Sequence, residues 1–375
     1  MKVLTLQENL NKGLSLVSRL VTSKAQLPVL NNILLVTDKG RLKLSATNLE
    51  TGINYWLGAK IEKEGAISVP AKTLTEFVSL LPLEKVQLEV KESTLSIVSG
   101  SYSANLVGLP ASEFPIIPTL KEEKTFSFSS ENLLKGISQT IFAASQDEGR
   151  PVLTGVLFQI KDDHLVLVAT DGYRLSFKKM KTNKNLREVK EFQKGLIIPA
   201  RLLSELEKII SSSQQKEEIG LAITSSSNQI IFITPEAEIV SRLIEGSFPE
   251  FEKIIPEKWT TKVVLEKESF LRAVRTASIF ARESANIVKF KVQSSKFKIS
   301  ANAPQVGDNL VELDVKQEGE ENSIAFNSRF LMDFLSSVET EGVCFEMTTP
   351  LNPGIFRPVE NSSYFHIIMP VRVQE

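Results

Sequence analysis

Three stretches of the chain read alike. Residues 167–176, LVATDGYRLS, lie near the middle; residues 44–53 read LSATNLETGI and residues 299–308 read ISANAPQVGD. Each is an apolar strand, a short polar turn and the start of a second strand. In the middle copy Asp171-Gly172 makes the turn, because Gly accepts φ > 0 and Asp can bond its own downstream backbone. Other features recur in the same order. Asn9-Leu10, Asn132-Leu133 and Ser269-Phe270 form one set; Val69, Ile198 and Phe326 form a second; Ala46, Ala169 and Ala301 form a third. The period is about 130 residues, far above the 20–50 of a solenoid rung, so the repeated unit is a whole domain. A length of 375 residues is too great for one ordinary core and suits two or three domains. The repeats make it three: 1–122, 123–258 and 259–375.

Each unit opens on a short strand that runs into an amphipathic helix. In the first, Leu10, Leu14, Val17 and Val21 stand at helical spacing. A run of strands follows, then a second helix after a Pro-Ala or equivalent step. Pro70 is expected to open that helix, where its missing N–H costs nothing, and Ser130 to cap the first helix of the second unit. SEFPIIPTLKEEK, with two prolines and a charge cluster, reads as a linker, and GSFPEFEKIIP answers it. Two helices and roughly eight strands per unit, with strands in runs, give an α+β class, not alternating βαβ.

The chain lacks the residues for most catalytic chemistry. No GxxxxGK[ST] occurs, and no GxGxxG follows a strand. His164 and His366 are the only histidines and Cys344 the only cysteine, too few for a Cys/His metal cluster or a Ser/His/Asp triad. Asp162-Asp163 reads as a hairpin turn, and Asp171 as a turn residue, in preference to an acid/base pair. No metal, cofactor or catalytic residue is expected. One cysteine means no intrachain disulfide and suits a reducing compartment. The first residues carry no secretory signal, and no apolar run is long enough to span a membrane, so a cytoplasmic protein is expected.

Net charge is −1, so only the arrangement of charges bears on a polyanionic partner. Lys12, Arg19, Lys24, Lys72, Lys135, Arg150, Arg201, Arg272, Arg275, Arg282 and Arg329 cluster on the six expected helices or just after them. Any one of them reads as a solvated helix face. The set, with Lys72, Arg201 and Arg329 at equivalent repeat positions, reads as a row of phosphate contacts without base readout. A second candidate is an apolar, partly basic surface: Leu153, Thr170, Gly172, Tyr173, Arg174, Leu175, Pro249 and Ile254, with the tail Ile367, Ile368, Met369, Pro370, Val371 and Arg372. That tail packs either as an edge strand or as the adaptable wall of a groove for a short peptide.

LPVLNNILL, SATNLETGI, SVPAKTL, RPVLTGV, ATDGYRLS, IIPAR, GSFPEF and IIMPVRV stand in the order found in the bacterial sliding clamps, the beta subunits of DNA polymerase III. The chain resembles that family over its whole length. The resemblance implies three clamp-type domains, each with two helices packed on antiparallel sheets. It implies a head-to-tail homodimer forming a ring around duplex DNA without sequence preference, and no catalysis. The partners it implies are the replicative polymerase's catalytic subunit, an ATP-driven clamp loader and other proteins with clamp-binding motifs. It assigns the partner-peptide pocket to Leu153, Thr170, Gly172, Tyr173, Arg174, Leu175, Pro249, Ile254, Ile368, Met369, Pro370, Val371 and Arg372, and the subunit contact to Leu106, Ile279 and Phe280. The residues themselves leave those last three open to an ordinary core reading. Lys253 stands where the family often has Arg, which keeps charge and loses bidentate geometry, and Gln374-Glu375 extend past the usual apolar end.

Simple geometry favours two chains. Helices side by side at about 10 Å would make a six-helix circle with roughly 9 Å free, and a twelve-helix circle with roughly 28 Å free. Duplex DNA is about 20 Å across, so only the larger circle admits it. The rival expectation is a monomeric peptide-binding adaptor that uses the same groove and encircles nothing.

Overall fold

The computed structural model describes residues 1–21, 27–120, 125–181, 190–212, 218–224, 228–359 and 361–372. The expected basic residue Lys24 and the Gln374-Glu375 tail lie outside them. Seven α-helices are described: α1 Gln7–Val17, α2 Ala71–Ser79, α3 Ser130–Ser138, α4 Lys190–Lys194, α5 Ala200–Ser212, α6 Lys267–Ala281 and α7 Ser328–Ser337. Six are the expected repeat helices. The short α4, in the second repeat, was not anticipated.

The strand–helix plan is the same in all three repeats. Lys2–Leu6, Phe126–Ser129 and Thr261–Glu266 lead into α1, α3 and α6. Each then pairs with the strand that follows the second helix of its own repeat: Lys85–Lys91, Glu218–Thr224 and Gly342–Met347. Val69, Ile198 and Phe326 occupy one equivalent position in the strand before the second helix, and all three are fully buried. This explains why they recur: each fills the same buried position two residues before its helix. Every described strand pairing is antiparallel.

The chain forms two compact units. The first holds Met1–Glu131 with Ser204–Leu243, the second Asn132–Leu203 with Ile244–Glu375. In the first, an eight-stranded sheet crosses a repeat boundary where Thr51–Gly58 pairs with Ala237–Arg242. A five-stranded sheet completes that unit and ends on Tyr102–Val107. In the second, a nine-stranded sheet crosses the next boundary where Arg174–Lys181 pairs with Tyr364–Ile368. A four-stranded sheet completes it and ends on Gly307–Asp314.

Several local readings shift. α1 stops at Val17 and tightens into a 3-10 turn at Ser18–Leu20, leaving Val21 outside the helix. Pro70 ends the preceding strand, opposite Asn32, and Ala71 opens α2. Ser130 is the first helical residue and not the cap. The stretch read as a linker is partly core, because Ile117 and Leu120 pack against Ala222, Ile231 and Val240. Its prolines break regular structure without releasing the apolar side chains. GSFPEFEKIIP does the same in the second unit, where Phe251 is buried beside Leu175 and Ile367.

Candidate functional site

The turn at Asp171 is built from side chains. Asp171 Oδ1 accepts from the backbone N–H of Tyr173 at 2.9 Å and of Arg174 at 3.0 Å, and Thr170 Oγ1 accepts from Gly172 N–H at 3.1 Å. Gly172 has φ 92°, the left-handed region that Gly adopts without strain. The first repeat copies the turn with Thr47 and Asn48, but places Leu49 at the left-handed position, φ 75°.

Arg174 leaves this turn inward. Its Nε donates to Asp171 Oδ2 at 3.0 Å, one terminal nitrogen to Asp333 on α7 and the other to the carbonyl of Phe142. The guanidinium also lies 4.4 Å from the ring centre of Phe330. Only 11% of the side chain is exposed. Arg174 is therefore a rivet beneath the surface, with three of its five N–H donors spent on this chain. Around it, Leu175 and Ile368 are fully buried, while Tyr173 at 64%, Ile254 at 40% and Met369 at 37% stand exposed. Residues 369–372 form no strand; Met369 N–H bonds the carbonyl of Tyr173 and Val371 N–H that of Ala325, each at 2.8 Å. Thr170 is buried, Leu153, Pro370 and Val371 are half-buried, and Gly172, Pro249 and Arg372 are exposed. Lys253 is exposed and ion-paired with Glu250.

His366 lies under the same site. It is fully buried between the rings of Phe142 and Phe334, at 5.3 and 5.5 Å, with Nδ1 2.8 Å from Ser176 Oγ. Nε2 has no hydrogen-bond partner among the described residues. Burial, reinforced by nearby Arg174, holds its pKa well below the usual imidazole range. A His that is neutral when folded resists protonation, whereas the unfolded chain takes up a proton below about pH 6.5. Stability should therefore be fully present above pH 6.5 and decline as pH falls below it, by up to about 1.4 kcal/mol per pH unit from this one group. Denaturant titrations from pH 7 to pH 5 should show that slope in the wild type and lose it in His366→Gln.

The basic residues divide. Lys12, Lys135 and Arg272 are equivalent, each five residues beyond the start of its helix. Lys12 pairs with Glu236 at 2.9 Å and Lys135 with Glu339 at 2.6 Å. Arg150 is paired with Asp147 at 3.2 Å. Arg19 is exposed and bonds the carbonyl of Ser15. Lys72, Arg201 and Arg329 sit exposed in the first turns of α2, α5 and α7. Arg272, Arg275 and Arg282 are exposed along one stripe of α6 and just past its end, and Ile279, 56% exposed, shares that stripe. Phe280 and Leu106 are half-buried, so none of the three expected contact residues is plain core. Asp162-Asp163 is the two-residue hairpin turn expected, joining Gly155–Lys161 to His164–Thr170.

Among the described residues no group of three or more His, Cys, Asp or Glu could hold a metal ion, and no helix is long and apolar enough to cross a membrane.

Three copies of one strand–helix domain, with exposed bases recurring on the helices, define a clamp-type subunit. Family profiles agree segment by segment: the DNA polymerase III beta subunit N-terminal domain matches residues 1–118, the central domain 127–250 and the C-terminal domain 252–372. The beta sliding clamp of Synechococcus elongatus is 32% identical over all of both chains, and that of Bacillus subtilis 30% identical over 99% of this chain and 100% of its own. A sliding clamp of Bartonella birtlesii, solved bound to griselimycin, superposes with a TM-score of 0.93 at 30% identity over all of both chains. The chain belongs to the DNA polymerase III beta subunit family, the bacterial sliding clamps. It is a replication protein and a non-catalytic processivity factor.

Proposed function

We propose that two copies of this chain close head to tail into a ring that encircles duplex DNA and tethers the replicative polymerase through the surface around Tyr173 and Met369. One observation carries this reading. At each internal boundary, the third strand after a repeat's first helix pairs with the last strand of the next repeat. The third repeat has no next repeat, so Gly307–Asp314 is left as a sheet edge, and so is the first repeat's last strand, Tyr102–Val107. Joining these two edges between copies would make a nine-stranded sheet with the strand order of the one already within the chain. Two such joints close a ring of two subunits, a heterologous contact repeated by a twofold axis.

The register carries over as well. Thr51 stands opposite Ser241 at one boundary, and Arg174 opposite Ile368 at the other. Gly307 is the equivalent of Thr51 and Arg174, and Leu106 of Ser241 and Ile368. The same register sets Leu106 opposite the partner's Gly307. A Cβ at Gly307 would lie 4.0 Å from Phe280, so Leu106 would meet the apolar end of α6, with Phe280 and Ile279. Three domains, 1–122, 123–258 and 259–375, then make one subunit.

The bases supply the DNA face. A cation in the first turn of a helix is repelled by the helix dipole. Lys72, Arg201 and Arg329 nevertheless recur there, which supports a role with phosphate, the anion that both the dipole and the cation attract. Arg19, Arg272, Arg275 and Arg282 are exposed and take the same role, the one also expected of Lys24 from its sequence. Lys12, Lys135 and Arg150 join it through exposed ion pairs worth about 0–1 kcal/mol, which a phosphate can exchange at little cost. Such weak contacts read no base and let the ring slide.

Leu175 and Ile367, opposite each other, form the floor of the partner pocket, and Ile368 packs behind it in the core of the third repeat. Leu153, Thr170, Gly172, Tyr173, Pro249, Ile254, Met369, Pro370, Val371 and Arg372 border it, and Arg174 fixes its shape from below. The polymerase catalytic subunit, the clamp loader and other motif-bearing proteins compete for it, and the work is done in the cytoplasm where the chromosome lies. The test of the ring is topological. Protein loaded on nicked circular DNA should survive a high-salt wash and run off once the circle is cut. Retention on the linear product at high salt would overturn the ring reading.

A further inference from the structure

We propose that Leu80 and Leu83, just past the end of α2, pack against α6 of the second copy, so that the joint between subunits is shut by apolar contact where the repeat boundaries within the chain carry ion pairs. This rests on the ring reading above and names what covers one face of its joint.

Leu80, Ile209 and Ser337 stand at one place in the three repeats, each nine residues beyond the start of its second helix. Ile209 is 7% exposed and Ser337 half-buried, whereas Leu80 is 81% exposed. Ser337 is covered by the repeat before it: its carbonyl accepts from Gln139 Nε2, just past the end of α3, at 3.4 Å. Two residues on, Glu339 pairs with Lys135 on α3. The first and third repeats keep step here, because Lys85 and Gly342 each open the next strand at the same remove from the helix start. Pro82 is therefore the counterpart of Glu339, and Leu83 of Thr340. On α6, Arg272 and Thr276 are the counterparts of Lys135 and Gln139. Carried over to the subunit joint, the same contacts set Leu80 against Thr276, and Pro82 against Arg272. Ile279, 56% exposed, lies one turn beyond Thr276.

The acid is missing from this joint. Lys12 is claimed by Glu236, the residue before the last strand of the second repeat, and Lys135 by Glu339. The first repeat has Ser101 and Pro82 at those two places, and neither can pair with Arg272. Pro82 is flanked instead by Leu81 and by Leu83, which is 83% exposed. Large apolar side chains that stand this far out of a single chain mark a surface that an assembly covers. The second copy's α6 supplies the cover with Ile279 and with the apolar stem of Arg272. With neither acid in place, the guanidinium of Arg272 is left to phosphate. The surface adjoins both free sheet edges: Tyr102–Val107 belongs to the same repeat as Leu80, and Gly307–Asp314 to the same repeat as α6. That continuity singles out a second copy as the occupant.

The test is the dimer's dissociation constant, read by sedimentation on the full chain. Leu80→Ala combined with Leu83→Ala should leave each subunit folded, since neither side chain is buried in the single chain. Each joint should weaken about tenfold. A ring of two subunits has two such joints, so the constant should rise about 100-fold. Wild-type dimerisation in this variant overturns the proposal; if Leu106→Asp still gives monomers, the ring reading stands. A variant that dimerises normally but is no longer loaded onto DNA gives the leucines to the clamp loader and overturns the proposal as well. Pro82→Glu tests the register by gain, because it puts back the acid that Glu339 supplies within the chain. Its dimer should tighten at low salt far more steeply than the wild type, and Arg272→Gln should abolish the added dependence. A Pro82→Glu dimer no more sensitive to salt than the wild type overturns the placement of α2 against α6.

Discussion

Replacing Leu106 by Asp should turn the dimer into monomers and abolish retention on circular DNA. The position lies on the edge strand Tyr102–Val107 and is half-buried before any partner arrives. In the proposed joint it meets Phe280 and Ile279 of the second copy. A carboxylate there would be desolvated against apolar side chains, a penalty of several kcal/mol. The dimer's dissociation constant should rise by about 100-fold or more, read by sedimentation. The domains themselves should remain folded, because an edge position contributes little to the core behind it. Ala104→Pro should act alike by a different route, since proline removes a backbone N–H and is poorly tolerated within a paired strand. A dimer of wild-type strength in both variants would place the joint elsewhere.

The second large effect is expected at Arg174. Truncation to Ala removes hydrogen bonds to Asp171, Asp333 and the carbonyl of Phe142, together with the contact on Phe330. It leaves a half-buried carboxylate, Asp171, without its cation. The stability of the unit should fall by about 2–4 kcal/mol in denaturant titration. Affinity for the polymerase's pocket-binding peptide should drop with it as the 170–174 turn loosens. Arg174→Lys should recover little of either, because a single ammonium cannot reach three acceptors in different directions. If Arg174→Ala leaves stability unchanged, the rivet is not what holds the turn.

The repeat was legible in the sequence because each copy must solve the same packing problem. Val69, Ile198 and Phe326 differ in size but share one buried slot, and Ala46, Ala169 and Ala301 share another. The Asp171 turn was legible because its hydrogen bonds are local. What stayed hidden is long-range. Nothing in residues 51–58 says that they will pair with residues 237–242, since an edge that meets another repeat alternates like one that meets water. Lys12 and Glu236 are 224 residues apart, so a base read as solvated proved to be ion-paired. Arg174 was read as part of the pocket surface, and nothing local says that Asp333, 159 residues on, claims it. The linker was misjudged because prolines announce a break in regular structure and say nothing of whether Ile117 is buried.

The strand Tyr102–Val107 carries no charged residue. The facing strand Gly307–Asp314 does carry carboxylates, but Glu312 and Asp314 are already paired with Lys298 and Lys296 of their own sheet. A gate with no ion pair across it responds weakly to ionic strength, whereas cation–phosphate contacts weaken steeply as salt rises. Osmotic upshift should therefore loosen this protein's friction along the double helix and leave its latch shut. A cell flooded with ions would keep its rings threaded, and they would travel faster.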